Sequence, residues 1–276
     1  MLIDKIKYKK SLSDLWHKVF ADSYDYIELI FKAEYEEDIL CFAELDGERA
    51  VSAFYLIKNT LRFDGELYNG YYLYAAATLP EYRKSGLMSA LINEAQIFCE
   101  KNGVDFITLV PFEESLYSYY SRFGFQNAMY RYEGVFNAVQ DNKKEPDVGK
   151  ISQAESVRQS FDGNMLFTAG HAFSYCKDCL EAADVVFLKL SKKSGALLSE
   201  DEKLVLEFIS SDDELIKSTD VLKDNLSCGS WVINSPFRCA FCQDSKKVRY
   251  GMLYPVSDAL KRDWSYTDIY MNIALD

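Results

Sequence analysis

The spacing of apolar residues changes from helix-like to strand-like within the first 80 residues. The stretches LSDLWHKVF and YDYIELIFKAEY place apolar side chains three or four positions apart, which predicts two helices, with Ser11 or Ser13 as an N-cap. Three strand-like stretches follow, DILCFAEL, RAVSAFYLI and ELYNGYYLYAAAT, and the pairs Asp46-Gly47 and Asp64-Gly65 separate them. Because Asp-Gly is favoured in two-residue hairpin turns, we predict an antiparallel meander.

A helix and a second kind of strand follow the meander. Apolar residues at helical spacing predict a helix from Leu87 to about Phe98, and Asn102-Gly103 can end it in a left-handed conformation. The apolar run VDFITLVP comes next, and a strand reached through such a crossover lies parallel to the strand before the helix, which ends at Thr78. A short helix in EESLYSYYSRF and a strand from Gly124 complete this half.

Residues 138–150 are rich in charge and contain a proline, which is typical of a linker. We therefore predict a first domain over residues 1–137 and a smaller α+β domain over residues 151–276. The second domain is expected to contain a helix near Ala172 to Ala183, strands near DVVFLKL and KLVLEFIS, and a closing pair near VRYGMLYP and YMNIALD. The predicted fold class is α+β (mixed α/β), with a central sheet that is mixed but mostly antiparallel.

Composition and charge argue against several classes of function. Acidic residues outnumber basic ones 43 to 31, and the net charge of -12 opposes binding to nucleic acid or to an anionic membrane surface. The N-terminus lacks the apolar core of a signal peptide, and no segment reaches the roughly 18 uninterrupted apolar residues of a membrane span, so a cytoplasmic protein is expected. Two histidines and no GxSxG motif argue against histidine-dependent nucleophilic catalysis.

Seven cysteines are an odd number in a chain too long to be a disulfide scaffold, so reduced thiols are expected. Two pairs, Cys176/Cys179 and Cys239/Cys242, have the CxxC spacing that can ligate zinc. The long separation of the pairs and the helical pattern around the first favour buried apolar thiols instead, and we predict no metal.

The hexapeptide Arg83–Met88, RKSGLM, lies between the strand that ends at Thr78 and the start of a helix. Free amides at a helix N-terminus and the positive end of the helix dipole attract anions. Gly86 removes a side chain that would hold a phosphate away from the backbone, while Arg83 and Lys84 add positive charge. These features predict a pyrophosphate site, and the alternative is a polar loop that only caps the helix.

The same hexapeptide resembles the signature of the GNAT N-acetyltransferase family, R/Q-x-x-G-x-G/A, and TLPEYR before it resembles the family's lead-in, V-x-P-x-x-R. The order of elements over residues 11–136 and the sequence YYSRFGF are also similar to that family. Met88 stands where the family usually has glycine or alanine, but bulky variants there and the sequence SRFGF resemble the enhanced-intracellular-survival branch. The resemblance implies a GNAT fold with a sheet splayed at an acetyl-CoA site. For the smaller α+β domain that follows, one interpretation is a degenerate second GNAT-like unit.

By this resemblance, acetyl-CoA is the cosubstrate and contacts two regions of the chain. The main chain of Ala76, Ala77 and Thr78 would pair with the pantetheine arm as an added strand does. The pyrophosphate would be held by Arg83, Lys84, Ser85, Gly86, Leu87 and Met88. Another interpretation of the three alanines Ala75–Ala77 is that they allow tight packing under a helix. The resemblance also implies that a backbone amide of the same strand donates a hydrogen bond to the oxyanion of the transition state.

Acetyl transfer expels a CoA thiolate, which is best reprotonated by a group that still carries its proton near pH 7, and a tyrosine with a pKa of about 10 does so. In the family this tyrosine lies four residues before the glycine of the G-F pair, which corresponds to Tyr120. Tyr117 and Tyr119 are local alternatives, and any of the three could be a core residue of one helix face.

The attacking amine must lose a proton, which requires a base or a water relay. Glu113 and Glu114 are candidates, although acids in a first helical turn are more often solvated. In the enhanced-survival branch the C-terminal carboxylate serves near the site, so the resemblance implies Asp276 as a second catalytic residue.

The sequence therefore predicts an acetyl-CoA-dependent N-acetyltransferase that transfers acetyl directly to a primary amine of a small molecule or peptide. One alternative is a non-catalytic acyl-CoA-binding sensor, which would bind the cosubstrate without turnover. Another is an aminoacyl transferase that uses charged tRNA, which the acidic pI and the pyrophosphate loop oppose. No pattern in the sequence indicates which amine is the acceptor or how many subunits assemble.

Overall fold

A mixed β-sheet connects both halves of the chain, and the predicted mixed α/β class is confirmed. This computed structural model describes residues 1–139, 147–265 and 268–271. The α-helices are α1 (Lys9–Phe20), α2 (Tyr24–Glu28), α3 (Leu87–Lys101), α4 (Glu114–Ser121), α5 (Ser152–Ser160), α6 (Gly170–Ala182) and α7 (Leu215–Asn225). The strands are β1 (Leu2–Ile3), β2 (Ile39–Asp46), β3 (Arg49–Phe63), β4 (Glu66–Thr78), β5 (Phe106–Leu109), β6 (Gln126–Asn127), β7 (Met129–Ala138), β8 (Val148–Gly149), β9 (Met165–Phe167), β10 (Val186–Lys189), β11 (Gly195–Ser199), β12 (Leu204–Ile209), β13 (Gly229–Ser235), β14 (Gln243–Arg249), β15 (Met252–Pro255) and β16 (Ile269–Tyr270).

The predicted meander is present as β2, β3 and β4. Both neighbouring pairs are antiparallel, and the hairpins turn at the two Asp-Gly pairs. Gly47 and Gly65 have φ angles of 64° and 83°, which glycine adopts without steric cost. The local turn chemistry is therefore enough to fix this part of the fold.

Side chains of β3 alternate between two apolar cores, one on each face of the sheet. Tyr55 and Ile57 pack in the core that includes α1, whereas Phe54 and Leu56 pack in the core that includes α3. Because successive residues of a strand point to opposite faces, helices on both faces explain why β3 is an almost continuous apolar run.

Strand β5 lies parallel to β4, as the crossover through α3 predicts. Their pairing runs from Gly70 opposite Phe106 to Tyr72 opposite Thr108. Gly70 permits this close approach, because a Cβ at that position would lie 2.4 Å from the carbonyl oxygen of Phe106. Within the described residues the pairing stops there, although β4 continues to Thr78, so the sheet opens between the ends of β4 and β5.

Strands are exchanged between the two halves of the chain. Strand β15 pairs antiparallel with β5, from Met252 opposite Leu109 to Pro255 opposite Phe106, and it also pairs with β6. In return, β7 pairs with β13 and β14. The sequence predicts one strand from Gly124, whereas the structure has the two strands β6 and β7, because they pair with different partners.

The second half repeats the element order of the first. Strands β10, β11 and β12 form an antiparallel meander, α7 follows, and β13 lies parallel to β12. Their parallel register covers only Leu204 opposite Val232 and Val205 opposite Ile233. The sequence pattern identifies α6, β10, β12 and the β14–β15 stretch. It misses α5, α7, β11 and β13, because these elements are short or contain few apolar residues.

The division into domains at residues 138–150 stays a prediction. Residues 140–146 of this segment lie outside the described residues, and so do residues 272–276 of the predicted last strand. The structure describes strand β16 at the start of this predicted strand. Strand β16 lies parallel to β7 and β9.

Candidate active site

Strand β4 contains a bulge in the part that has separated from β5. The register on β3 shifts after Tyr74, so that two residues of β4, Ala75 and Ala76, oppose one residue of β3. Ala75 has a φ of 51°, a left-handed conformation that is uncommon outside glycine. Beyond the bulge, β4 runs to Thr78 along β3, and its other edge has no strand partner within the described residues.

The loop between β4 and α3 leaves the first amides of the helix open. The first helical hydrogen bond of α3 runs from Ala90 N to Gly86 O at 3.0 Å, so the amides of Leu87, Met88 and Ser89 precede it. Gly86 has a φ of 86°, and a Cβ built on it would meet nothing within 4 Å. The space in front of the helix is therefore available to a ligand.

Two side chains hold the rest of this loop in place. Arg83 Nε donates to the carbonyl oxygen of Thr78 at 3.1 Å, and the hydroxyl of Ser85 donates to the carbonyl of Tyr82. Lys84 has a φ of 64°. Both cations, Arg83 and Lys84, are exposed, so they add positive charge beside the end of β4.

The acidic side chain of the same loop, Glu81, is paired with cations. Its carboxylate accepts hydrogen bonds from Arg49 Nη2 at 2.9 Å and from Lys18 Nζ at 3.3 Å. A backbone hydrogen bond and then these two cations lower the pKa of Glu81. The negative charge is therefore partly compensated and opposes an anionic ligand less than an isolated carboxylate would.

Met88, the residue that departs from the family signature, is half-buried. It packs against the core on the α3 side of the sheet, which also contains Leu91 and Ile92. The extra bulk at this position is therefore directed into the core.

The three candidate tyrosines of α4 differ in what their hydroxyls contact. The hydroxyl of Tyr117 donates to the carbonyl oxygen of Tyr250 at 2.9 Å, and that of Tyr119 shares a hydrogen bond with the hydroxyl of Ser89 at 3.3 Å. The hydroxyl of Tyr120 makes no hydrogen bond with the described residues. Of the three hydroxyls, only that of Tyr120 is without a hydrogen-bond partner among the described residues.

Tyr120 is buried, with an exposed fraction of 7%. It belongs to the same apolar core as Leu109, the last residue of β5, and its ring packs edge-on against Phe125 at 5.9 Å. Burial, and secondarily the neighbouring Tyr119, raise the pKa of Tyr120. The phenol therefore stays protonated across the neutral range.

The two candidate bases after β5 are exposed and have partners elsewhere. Glu113 accepts a hydrogen bond from the hydroxyl of Ser115, and Glu114 forms an ion pair with Arg249. The side chain of Glu114 is 82% exposed. These contacts agree with the interpretation of both residues as solvated acids, and Asp276, the other candidate, lies outside the described residues.

The segment from Arg249 to Met252 is a part of this region that the sequence does not reveal. Gly251 lies so close to β5 that a Cβ would be 3.2 Å from the carbonyl oxygen of Leu109. The guanidinium of Arg249 lies 3.7 Å from the ring centre of Tyr117. Local patterns cannot signal a contact between residues 133 positions apart, such as Tyr117 with Tyr250.

The two CxxC pairs lie in different settings. Cys176 and Cys179 are buried in α6, whereas Cys239 and Cys242 lie in the turn between β13 and β14. Neither pair belongs to a group of three or more potential metal ligands among the residues that the structure describes.

Comparison with known proteins identifies the class of enzyme. Residues 5–128 match the family model for an acetyltransferase (GNAT) domain. This part of the chain is a GNAT acetyltransferase domain, and the family predicted from the sequence is confirmed. The reaction of this family is acyl transfer from acyl-CoA, so the chain is an acetyltransferase with acetyl-CoA as its cosubstrate. No curated protein matches the sequence.

Three solved structures share the fold at low sequence identity. They are a probable N-acyltransferase from Enterococcus faecalis (16% identity, TM-score 0.70), a GCN5-related N-acetyltransferase from Kribbella flavida (12%, 0.68) and Eis1 from Mycobacterium abscessus (11%, 0.66). Each match covers 93% of this chain and 72% of the other. The shared fold therefore extends through both halves of the chain.

Proposed function

We propose that this protein transfers acetyl from acetyl-CoA directly to a primary amine of a small molecule or peptide, with Tyr120 as general acid. The observation that carries the proposal is the hydroxyl of Tyr120 in α4, the helix that follows β5. It has no hydrogen-bond partner among the described residues, whereas the hydroxyls of Tyr117 and Tyr119 are hydrogen-bonded. A direct transfer needs no nucleophile from the protein and forms no covalent enzyme intermediate.

The cosubstrate would bind along the open edge of β4 and in front of α3. The backbone of Ala76, Ala77 and Thr78 would pair with the pantetheine amides, since it presents an edge without a strand partner in the described residues. Residues 83–88 would hold the pyrophosphate, because the first amides of α3, the positive φ of Gly86 and two exposed cations converge there.

In the reaction the amine nitrogen attacks the thioester carbonyl carbon and a tetrahedral intermediate forms. A backbone amide at the end of β4 would stabilise its oxyanion. The carbon–sulfur bond then breaks, and the departing thiolate takes the proton of Tyr120. The nitrogen of the new amide releases one proton to solvent, and the tyrosinate regains one from solvent. The ammonium form of the acceptor must lose a proton beforehand, and the resemblance to the enhanced-survival branch is what supports Asp276 as the second catalytic residue.

The assignment of Tyr120 is tested by Tyr120→Phe, with Tyr119→Phe as the matched control in the same helix. We expect Tyr120→Phe to lower kcat by about 100-fold, since general acid catalysis contributes at least that much, and to leave the affinity for acetyl-CoA nearly unchanged. Tyr119→Phe should change kcat little. Steady-state kinetics with an amine acceptor and calorimetric titration with acetyl-CoA measure both quantities, and equal kcat for Tyr120→Phe and wild type would remove the assignment.

We also propose the domain boundaries given above, residues 1–137 and 151–276 with a linker between them, and a cytoplasmic location. The repeated order of a meander, a helix and a parallel strand supports a degenerate GNAT-like unit in the second domain, which would shape the acceptor cleft. Among the described residues, no helix is long and apolar enough to cross a membrane. The net charge of -12 supports an acceptor other than nucleic acid.

A screen of amines separates this proposal from the sensor alternative. Turnover of any small amine or peptide lysine at saturating acetyl-CoA supports the enzyme. Tight binding of acetyl-CoA with no acetyl transfer to any class of amine would favour an acyl-CoA-binding sensor.

A further inference from the structure

Cys239 and Cys242 form the ends of the turn that connects β13 to β14. The amide of Cys242 donates to the carbonyl oxygen of Cys239 at 3.1 Å, so the four residues form a tight turn. The ends of such a turn have Cα atoms within about 7 Å of each other, and disulfides span Cα separations of about 4.4–6.8 Å. The backbone of this turn therefore brings the two cysteines to a spacing that a disulfide accepts.

The thiols of this pair interact with each other and with a serine. The sulfur of Cys239 lies 3.3 Å from the hydroxyl oxygen of Ser235, whose proton is donated to the carbonyl oxygen of Phe237. The hydrogen bond from Cys242 is the main cause of a lowered pKa at Cys239, and it raises the pKa of Cys242. Of the two thiols, that of Cys239 is therefore the one favoured as a thiolate.

The two cysteines also differ in access. Cys239 is buried in the core of the second half, whereas Cys242 is partly exposed. A reagent from solution therefore meets Cys242 first, and Cys239 is positioned behind it as an internal nucleophile.

We propose that Cys239 and Cys242 are a thiol–disulfide exchange site that forms a reversible intramolecular disulfide with a low-molecular-weight disulfide as oxidant. The pair loses one proton to solvent and the remaining proton is transferred from Cys242 to Cys239. The exposed Cys242 thiolate then attacks one sulfur of the oxidant, a mixed disulfide forms, and one small thiol leaves. Cys239 loses its proton in turn, and its thiolate attacks Sγ of Cys242 and releases the second small thiol. The pair loses two protons and two electrons, and the oxidant is reduced to two thiols.

The other CxxC pair provides an internal comparison. Cys176 and Cys179 lie within α6, and burial raises their pKa values to about 11 and about 12. Neither thiol is favoured as a thiolate, and neither is accessible from solution. The same sequence spacing therefore has different chemistry in a helix and in a turn.

The test exposes the folded full-length protein to defined ratios of oxidised and reduced glutathione, followed by an acid quench, denaturation, alkylation and peptide mass spectrometry. We expect the peptide with Cys239 and Cys242 to lose two hydrogens and escape alkylation at ratios where Cys176 and Cys179 are still fully alkylated. Dithiothreitol should reverse the change. Complete alkylation of Cys239 and Cys242 at every ratio, or a glutathione adduct that persists on the wild-type pair, would overturn the proposal.

Two variants test the order of attack. Cys239→Ser should accumulate a stable glutathione adduct on Cys242, because the internal nucleophile is missing, whereas Cys242→Ser should react much more slowly at the buried Cys239. Faster modification of Cys239 than of Cys242 would reverse the proposed order. The glutathione titration of the wild-type protein needs neither variant to fold, and none of these measurements depends on the proposed acetylation of an amine.

Discussion

Gly86 connects a single backbone angle to cosubstrate binding. Its φ of 86° and the open space where a Cβ would lie make it the residue at which a side chain would project in front of α3. We expect Gly86→Glu to weaken acetyl-CoA binding at least tenfold, because the new carboxylate would meet the pyrophosphate with like charge and the backbone would be strained. Calorimetric titration of the variant and the wild type with acetyl-CoA measures this change.

Gly65 offers a matched control for that substitution. It has a similar φ of 83°, and a Cβ there would also meet nothing within 4 Å. It lies at the opposite end of the 13-residue strand β4 from Thr78, about 40 Å away at about 3.3 Å per residue. Gly65→Glu should carry the same backbone strain without loss of affinity, and equal losses in both variants would mean that strain alone explains the result.

For single residues, the sequence predicts which position along the chain is a candidate, but it does not predict which other residues that side chain contacts. The spacing from the G-F pair selects Tyr120, and a helix start after RKSG selects Gly86, because both depend on residues within one turn or one loop. The partners that engage Tyr117 and Tyr119 belong to other elements. No local pattern contains that information, so the lack of a partner for the Tyr120 hydroxyl among the described residues is visible only in the structure.

Helix α6 is attached to the first half by a charged contact. The carboxylate of Asp178 accepts a hydrogen bond from the hydroxyl of Tyr35 at 2.7 Å and forms ion pairs with Lys32 and Lys177. Burial alone would raise the pKa of Asp178, but the hydrogen bonds from Lys32, Tyr35 and Lys177 outweigh it and lower the pKa. The contact therefore stabilises the fold most when this carboxylate is ionised.

We expect Asp178→Asn to lower the free energy of unfolding at pH 7 by about 1–3 kcal/mol, the usual cost of breaking a buried charged hydrogen bond. Because the pKa is lowered in the folded state, the wild-type advantage is complete above the unfolded value of about 3.9 and is lost as the pH falls through the folded value. Urea unfolding at pH 7 and near pH 3 measures the difference, which should shrink at the lower pH.

The exposed pair of Asp258 and Lys261, 2.8 Å apart, is the control for this prediction. The side chain of Asp258 is 95% exposed, so solvent screens the pair. Asp258→Asn should leave unfolding almost unchanged at both pH values. A similar loss in the two variants would indicate a general charge effect instead of a specific attachment of α6.

The sequence predicts correctly the helices and strands that depend on residues close in sequence. It does not predict the strands that depend on pairing with segments far away in sequence. The Asp-Gly turns determine the β2–β3–β4 meander, and the crossover rule gives the parallel β5. Short strands such as β11 and β13 owe their existence to neighbours that are far apart in sequence. The pairing of β15 with β5 is the extreme case, since nothing near either strand specifies it.

The two halves of the molecule share an element order but have opposite charge at corresponding loops. Arg83 and Lys84 lie between β4 and α3, whereas Asp212, Asp213 and Glu214 lie between β12 and α7. Because three carboxylates repel a pyrophosphate, we expect one acetyl-CoA per chain. Calorimetric titration should give a stoichiometry near one, and a value near two would show that the second half also binds the cosubstrate.

The exchanged strand β15 sets the order of events during synthesis of the chain. Strand β5 leaves the ribosome early, but its partner β15 is translated roughly 150 residues later, a delay of about 7–30 s at the usual rates of elongation. During that interval one edge of β5 lacks its native partner, and such an edge can pair with other chains. The acetyltransferase domain therefore cannot complete its sheet while it is being made, and its assembly waits until β15 has left the ribosome.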